Sequence, residues 1–191
     1  MDIIKLIEIF AFVTGIIYIV LEIGQKNFMW VLGILTGVAC AYSFGVQGLY
    51  ASMGLNIYYV GVSFWGLVRW RRDSLEVQEG SIHLNRLTTR TMLVSLAVFA
   101  GGMLVLLGLL KVLGGSETWF DALTATLSAI ATWWLAESYA EQWLLWIVAD
   151  LMSTILCAVS GLPWMAVLYL FYTASAVYGY IHWRRSGNYI N

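Results

Sequence analysis

The chain has 191 residues, of which 61% are hydrophobic and only 11% are charged, and its formal net charge at pH 7 is −1. A mean hydropathy of +0.79 is too high for a soluble globular domain of this length, and the charge balance gives no basis for nucleic-acid binding. Cys40 and Cys157 both lie inside apolar segments, so we interpret them as small buried hydrophobic residues rather than as a disulfide or a metal site.

Seven apolar stretches of membrane-spanning length predict an all-α, polytopic membrane protein. Strands are not expected, because the stretches are long and lack alternation of apolar and polar residues. The first stretch lacks the basic start and the cleavage site of a signal peptide, so we expect it to belong to the mature fold. The predicted spans are Ile3–Ile23, Phe28–Val46, Met53–Trp70, Thr91–Val112, Trp119–Ala136, Trp143–Val159 and Pro163–Trp183.

The longest polar connection runs from Arg71 to Arg90 and is the only candidate linker. It contains a lone histidine, His83, which we expect to be solvated, and it shows no catalytic pattern. With seven spans, nearly all loop arginines fall on one side of the membrane, after the third and the seventh span. The positive-inside rule therefore predicts a cytoplasmic C-terminus and an external N-terminus.

The chain also resembles itself when it is shifted by 113 positions. This shift aligns Trp30 with Trp143, Gly66 with Gly179, and the run Trp70-Arg71-Arg72 with Trp183-Arg184-Arg185. A separate shift of 115 aligns Glu22 with Glu137. We therefore predict a 3+1+3 parallel duplication, with a first repeat at 1–72, a loop and linker helix at 73–116, and a second repeat at 117–191. Parallel repeats are typical of carriers that bind substrate between their halves, although channels, sensors and structural proteins are also duplicated.

The sixth span carries two indoles and a carboxylate on one helical face. Trp143 and Trp146 are three residues apart, and Asp150 follows four residues later, about 10 Å into the span. A carboxylate at such a depth usually faces a cavity or a partner, so this face suits a flat cationic molecule. An interfacial aromatic belt with a structural acid is the alternative. The second span has Gly33 and Gly37 at the matching positions.

Other polar residues in the spans are further candidates for substrate contact. Asn56 and Tyr59 share a face of the third span, and Tyr172 matches Tyr59 under the shift of 113. Glu22 and Glu137 lie near the cytoplasmic ends of their spans. Each of these also has a structural interpretation: Asn56 as a bond between helices, Tyr172 as packing, and the two glutamates as interfacial or paired acids.

These motifs together resemble the Pnu family of vitamin-precursor transporters, over essentially the whole chain. The residues that carry the resemblance are the Trp143-x-x-Trp146 pair with Asp150, the Asn56-x-x-Tyr59 pair, and the span endings Gly66/Trp70 and Gly179/Trp183. The resemblance implies a fold distantly similar to the SWEET sugar transporters and a homotrimer in the bacterial inner membrane. It also implies facilitated diffusion without a cofactor, followed by trapping of the product by a cytoplasmic kinase.

The best-known members, of the PnuC type, carry nicotinamide riboside, and we take this vitamin precursor as the expected substrate. Thiamine is the alternative, because the stretch YIVLEIGQKNFMW is similar to compact bacterial members assigned to thiamine. Riboflavin is neutral and suits the acidic residues less well. A membrane enzyme or receptor subunit is the alternative of another class, but no catalytic cluster or output domain is visible. A proton-coupled exporter would use Glu22 or Asp150 as its proton carrier.

Overall fold

A computed structural model describes residues 3–47, 50–75, 81–113, 119–159, 161 and 163–190. Within these ranges the chain forms seven α-helices and two short strands. The helices are α1 (Ile3–Ile23), α2 (Phe28–Val46), α3 (Tyr50–Asp73), α4 (Thr89–Leu113), α5 (Trp119–Ala136), α6 (Gln142–Val159) and α7 (Pro163–Ser186). The strands are β1 (Ile82–Leu84), before α4, and β2 (Gly187–Tyr189), directly after α7.

The seven predicted helices are therefore confirmed, and α1, α2 and α5 have the predicted bounds. The largest differences are in α3 and α7, which continue past the apolar stretch through Arg71-Arg72 and Arg184-Arg185. Arginine is a good helix former, and its charge is favourable at the carboxyl end of a helix dipole. Hydropathy alone therefore ends these two helices one turn too early.

Three of the described helical segments are long and apolar enough to cross a membrane: Phe28–Val46, Thr89–Leu109 and Gln142–Val159. Val13–Ile23 and Ala122–Ala136 are shorter apolar segments. Many large apolar side chains on the helices are exposed, among them Leu96 and Leu104 on α4. Exposed apolar side chains on long helices are expected of surfaces that face lipid.

Within the described residues the predicted spans contain no strand, as expected, but two short strands lie outside them. β1 and β2 form a parallel pair in which Ile82 lies opposite Gly187 and Leu84 lies opposite Tyr189. Leu84 is fully buried, and a side chain at Gly187 would collide with it. Three-residue strands are too short to show an alternating pattern, and their partner is about a hundred residues away in the chain, so periodicity does not reveal them.

The expectation that His83 is solvated is wrong, because this residue is only 3% exposed. Its backbone N–H donates to Gln25 Oε1 at 2.7 Å, and its carbonyl accepts from Gln25 Nε2 at 2.8 Å. The imidazole meets Trp70 edge to face, with ring centroids 5.6 Å apart. Burial lowers the pKa of His83; the Asp73 carboxylate acts in the opposite direction and the Arg69 guanidinium acts in the same direction as burial.

The contacts divide the chain into two compact units. The first unit comprises residues 1–85, 135–138 and 182–191, and the second comprises 86–134 and 139–181. Each unit contains a tryptophan ring packed on a glycine: Trp30 lies over Gly66 in the first, and Trp143 over Gly179 in the second. The predicted domain boundaries at 72 and 116 remain a prediction.

Candidate functional site

In the second unit, the face of α6 that was singled out from the sequence separates into two parts. Trp143, at the start of the helix, is 2% exposed and fits its ring against Gly179 of α7. A Cβ atom at Gly179 would lie 2.6 Å from Trp143 Cζ2, so only glycine admits the ring. Trp143 therefore fixes α6 against α7 and leaves the next turns of that face to other residues.

Those next turns carry Trp146 and Asp150. The indole N–H of Trp146 is buried and has no hydrogen-bond partner in the part of the chain that the structure describes. Asp150 is 9% exposed and interacts electrostatically with Tyr169 and Tyr172 of α7. The two tyrosine rings meet edge to face, with centroids 6.1 Å apart. We call Trp146, Asp150, Tyr169 and Tyr172 the α6–α7 cluster.

The α6–α7 cluster combines the groups that recognise a cationic aromatic molecule with hydroxyls. An indole and two phenol rings offer π faces, the carboxyl group attracts positive charge, and the phenolic oxygens donate and accept hydrogen bonds. A buried donor without a partner costs about 1–3 kcal/mol, so the Trp146 N–H gains from any acceptor that enters.

In the first unit, Tyr18, which is not among the predicted site residues, lies beside the predicted site residues Glu22 and Tyr59. Tyr18 of α1 interacts electrostatically with Glu22, one turn further along α1, and with Tyr59 of α3. Glu22 is only 4% exposed, whereas Asn56 and Tyr59 are half-buried. The i,i+4 spacing of Tyr18 and Glu22 was a visible signal for this α1–α3 cluster.

At Gly33 and Gly37, which a shift of 113 pairs with Trp146 and Asp150, the first unit has no room for a side chain. A Cβ atom at Gly33 would lie 2.9 Å from Ser63 Oγ and 3.3 Å from Tyr18 Cε2. At Gly37 it would lie 2.7 Å from Val60 Cγ2. Neighbouring side chains therefore fill the space at both glycines.

Glu137, predicted to bind substrate or to form a structural pair, is engaged within the first unit. Its carboxylate lies 3.0 Å from Arg69 Nη2 and accepts a hydrogen bond from Trp65 Nε1 at 3.2 Å. Its backbone carbonyl accepts from Asn85 Nδ2 at 2.9 Å. These contacts favour the structural pair.

Gln25 and Ser138 are the two non-glycine residues with positive φ (47° and 60°) in the described chain, and they are 113 positions apart. A shift of 113 places Leu135, not Glu137, opposite Glu22. The alignment of Glu22 with Glu137 by a shift of 115 remains a prediction.

Comparisons with known proteins give similarity over nearly the whole chain. The family model for the nicotinamide mononucleotide transporter matches residues 5–185. The nicotinamide riboside transporter PnuC of Neisseria mucosa is 31% identical over 188 residues, covering 92% of this chain and 70% of the relative. PnuC of Haemophilus influenzae is 27% identical over 175 residues, covering 91% and 76%. A crystal structure of the vitamin B3 transporter PnuC matches with a TM-score of 0.69 and 31% identity, covering 92% of this chain and 79% of that one.

Proposed function

Because the chain belongs to the nicotinamide mononucleotide transporter family, we propose that it carries nicotinamide riboside across a membrane by facilitated diffusion. The resemblance to the Pnu family inferred from the sequence is confirmed by this match, and so is the prediction of a transporter rather than an enzyme. The apolar helices agree with an integral membrane protein.

The observation that carries the substrate proposal is the composition of the α6–α7 cluster. Nicotinamide riboside joins a positively charged pyridinium ring, with its carboxamide, to a ribose. An aromatic face attracts such a ring by about 0.5–2 kcal/mol, and the Asp150 carboxylate favours the same charge. The Trp146 N–H suits the carboxamide oxygen, and the phenols of Tyr169 and Tyr172 suit the ribose hydroxyls.

The same chemistry favours the riboside over the mononucleotide. The mononucleotide adds a phosphate with negative charge, which the Asp150 carboxylate repels. None of the four residues of the α6–α7 cluster is a lysine or an arginine that would hold a phosphate. The riboside needs no such cation.

Thiamine is the second candidate, because its thiazolium ring is also cationic and its alcohol also needs hydrogen bonds. The stretch YIVLEIGQKNFMW, which includes Glu22, favours it. The α1–α3 cluster of Tyr18, Glu22 and Tyr59 offers this cation a second acidic aromatic environment. Riboflavin lacks the positive charge that both clusters suit.

A binding panel on the purified protein tests the proposal. Nicotinamide riboside, nicotinamide mononucleotide, thiamine and riboflavin are each added before thermal unfolding, because a ligand that binds the folded state raises the melting temperature by mass action. We expect the riboside to give the largest rise, and uptake of the riboside into proteoliposomes to follow it. A rise in melting temperature with thiamine alone would make thiamine the substrate in place of nicotinamide riboside. No rise with either cation would refute the proposal.

We propose further that the helices form a 3+1+3 parallel duplication similar to the SWEET transporters. The support is that equivalent helices end 113 residues apart, and that the same tryptophan atoms pack on a glycine in each unit. The paired helix ends are Ile23 with Ala136, Val46 with Val159, and Asp73 with Ser186.

We also propose a homotrimer in the bacterial inner membrane, with a cytoplasmic C-terminus and an external N-terminus. The arginines in the last turns of α3 and α7 support the orientation through the positive-inside rule. The trimer rests on the family resemblance, and the exposed apolar face of α4 is available for contacts with lipid or with other subunits. Cross-linking in native membranes measures the subunit number.

A further inference from the structure

Two tryptophans that match under the shift of 113 close the carboxyl ends of two helices, and all four residues of these contacts belong to the first unit. The Trp70 N–H of α3 donates to the carbonyl of Leu135 at 3.2 Å, and the Trp183 N–H of α7 donates to the carbonyl of Ile23 at 3.0 Å. Both indoles are fully buried. The accepting carbonyls lie in the last turns of α5 and α1, where helical carbonyls have no partner within the helix. The third helix of each predicted repeat therefore caps the first helix of the other.

Strand β1 and the residue after it fasten the two turns that follow these helix ends. The Gln25 side chain makes two hydrogen bonds with the backbone of His83, at 2.7 and 2.8 Å. Two residues on, the Asn85 N–H donates to the Ser138 carbonyl at 3.2 Å and Asn85 Nδ2 donates to the Glu137 carbonyl at 2.9 Å. The segment from His83 to Asn85 is thus hydrogen-bonded to the α1–α2 turn at Gln25 and to the α5–α6 turn at Glu137 and Ser138. We call these hydrogen bonds the fastening.

The C-terminal tail holds the same segment from its other edge. The N–H of Ile190 donates to the carbonyl of Leu84 at 2.9 Å, and β2 pairs with β1 over three residues. The segment is therefore held by backbone and side-chain hydrogen bonds and by buried side chains, since Leu84 is fully buried and His83 packs on Trp70. The hydrogen bonds exchange for bonds to water at a small net cost.

This segment and the turns that it contacts contain left-handed backbone and buried polar atoms without a partner. Gln25 and Ser138 adopt the left-handed conformation without being glycine. His83 Nε2, Ser138 Oγ and Asn27 Oδ1 are buried without a hydrogen-bond partner in the described part of the chain. Both left-handed residues lie two positions after a helix end, where this conformation is common. The unpaired polar atoms gain hydrogen bonds to water when the segment separates from the turns.

We propose that Gln25 and Asn85 are gating residues of the transport step, which fasten β1 to the two turns when the inner end is closed. Their hydrogen bonds must break in each cycle to release substrate at the end where the odd-numbered helices finish. A carrier with alternating access must open and close each end in turn, so a fastening that cannot open stops transport. This inference rests on the proposed function.

A reversible cross-link across the fastening tests the gate. Asn85→Cys and Ser138→Cys are introduced together after the free thiols Cys40 and Cys157 have been replaced with alanine. The hydrogen-bonded backbones of positions 85 and 138 are close enough for a disulfide, which mass spectrometry verifies. We expect the oxidised protein to lose nicotinamide riboside uptake while it keeps riboside binding, and reductant to restore uptake.

Uptake by the oxidised protein at the rate of the reduced protein would overturn the gate, and so would loss of riboside binding on oxidation. If the wild-type protein itself takes up no riboside, the proposed function fails instead, which separates the two results.

Asn85→Ala is a second variant that needs no cross-link. It removes one hydrogen bond of the closed state, so we expect the maximal exchange rate to rise by about two- to tenfold with unchanged affinity for the riboside. Asn188→Ala, on the exposed side of β2, is the matched control and should leave the rate unchanged. An equal rate for Asn85→Ala and Asn188→Ala, or a loss of affinity in Asn85→Ala alone, would refute the gating role.

Discussion

Replacing Gly66 with alanine tests the packing of α2 on α3. The new Cβ would lie 2.5 Å from Cε2 and 2.7 Å from Cη2 of Trp30, which is fully buried. The indole also meets Trp70, with ring centroids 5.1 Å apart, so it has little freedom to withdraw. Overpacking of this kind costs about 1–3 kcal/mol. Alanine also gains about 1 kcal/mol over glycine in a helix, and that gain must be separated from the clash.

Gly61→Ala on the same helix separates the two effects, because a Cβ atom there would meet no other atom within 4 Å. Equilibrium unfolding in mixed micelles should show Gly66→Ala about 1–3 kcal/mol less stable than Gly61→Ala. Equal stability of the two variants would refute the packing argument. Gly179→Ala should also destabilise, and because it displaces Trp143, one turn before the α6–α7 cluster, it should weaken riboside binding as well.

Three further predictions concern the cluster and the orientation. Trp146→Ala should weaken riboside binding by about 1–3 kcal/mol in a titration, while Trp146→Phe keeps most of the affinity. An equal loss of affinity in Leu144→Ala, on an exposed face of α6, would contradict this. Asp150→Asn should leave the melting temperature of the apo protein nearly unchanged and weaken binding of the cation far more than that of a neutral analogue of the same shape; equal losses for both would exclude charge recognition. Cysteines introduced at Ser81 and Ser186 should react with an impermeant reagent only after the cells are opened. Labelling of both in intact cells would show that the orientation is the opposite of the predicted one.

The helices were predictable because hydropathy reports directly on membrane-spanning length. The strand pair was not, since the pairing of β1 with β2 joins positions about a hundred residues apart. The burial of His83 follows from that pairing and from Gln25, so a lone polar residue in a polar loop gave no signal of it.

The candidate site was predictable to the extent that it lies on single helices. The spacing on α6 placed Trp146 and Asp150 on one face, and repeat matching pointed to Tyr172 of α7. Which of two plausible roles a residue takes depends on contacts between helices. The pairing of Glu137 with Arg69 and the commitment of Trp143 to Gly179 are of this kind, and no spacing rule within one helix separates them from substrate contacts.

The filled space at Gly33 and Gly37 has a consequence for the evolution of the chain. A side chain at position 33 would require Ser63 and Tyr18 to yield, and one at position 37 would require Val60 to yield. A single substitution that installs an indole or a carboxylate there meets an occupied volume and is deleterious before its neighbours change. The order of mutations therefore constrains which sequences are reachable. The difference between the two units at these positions is easier to keep than to reverse.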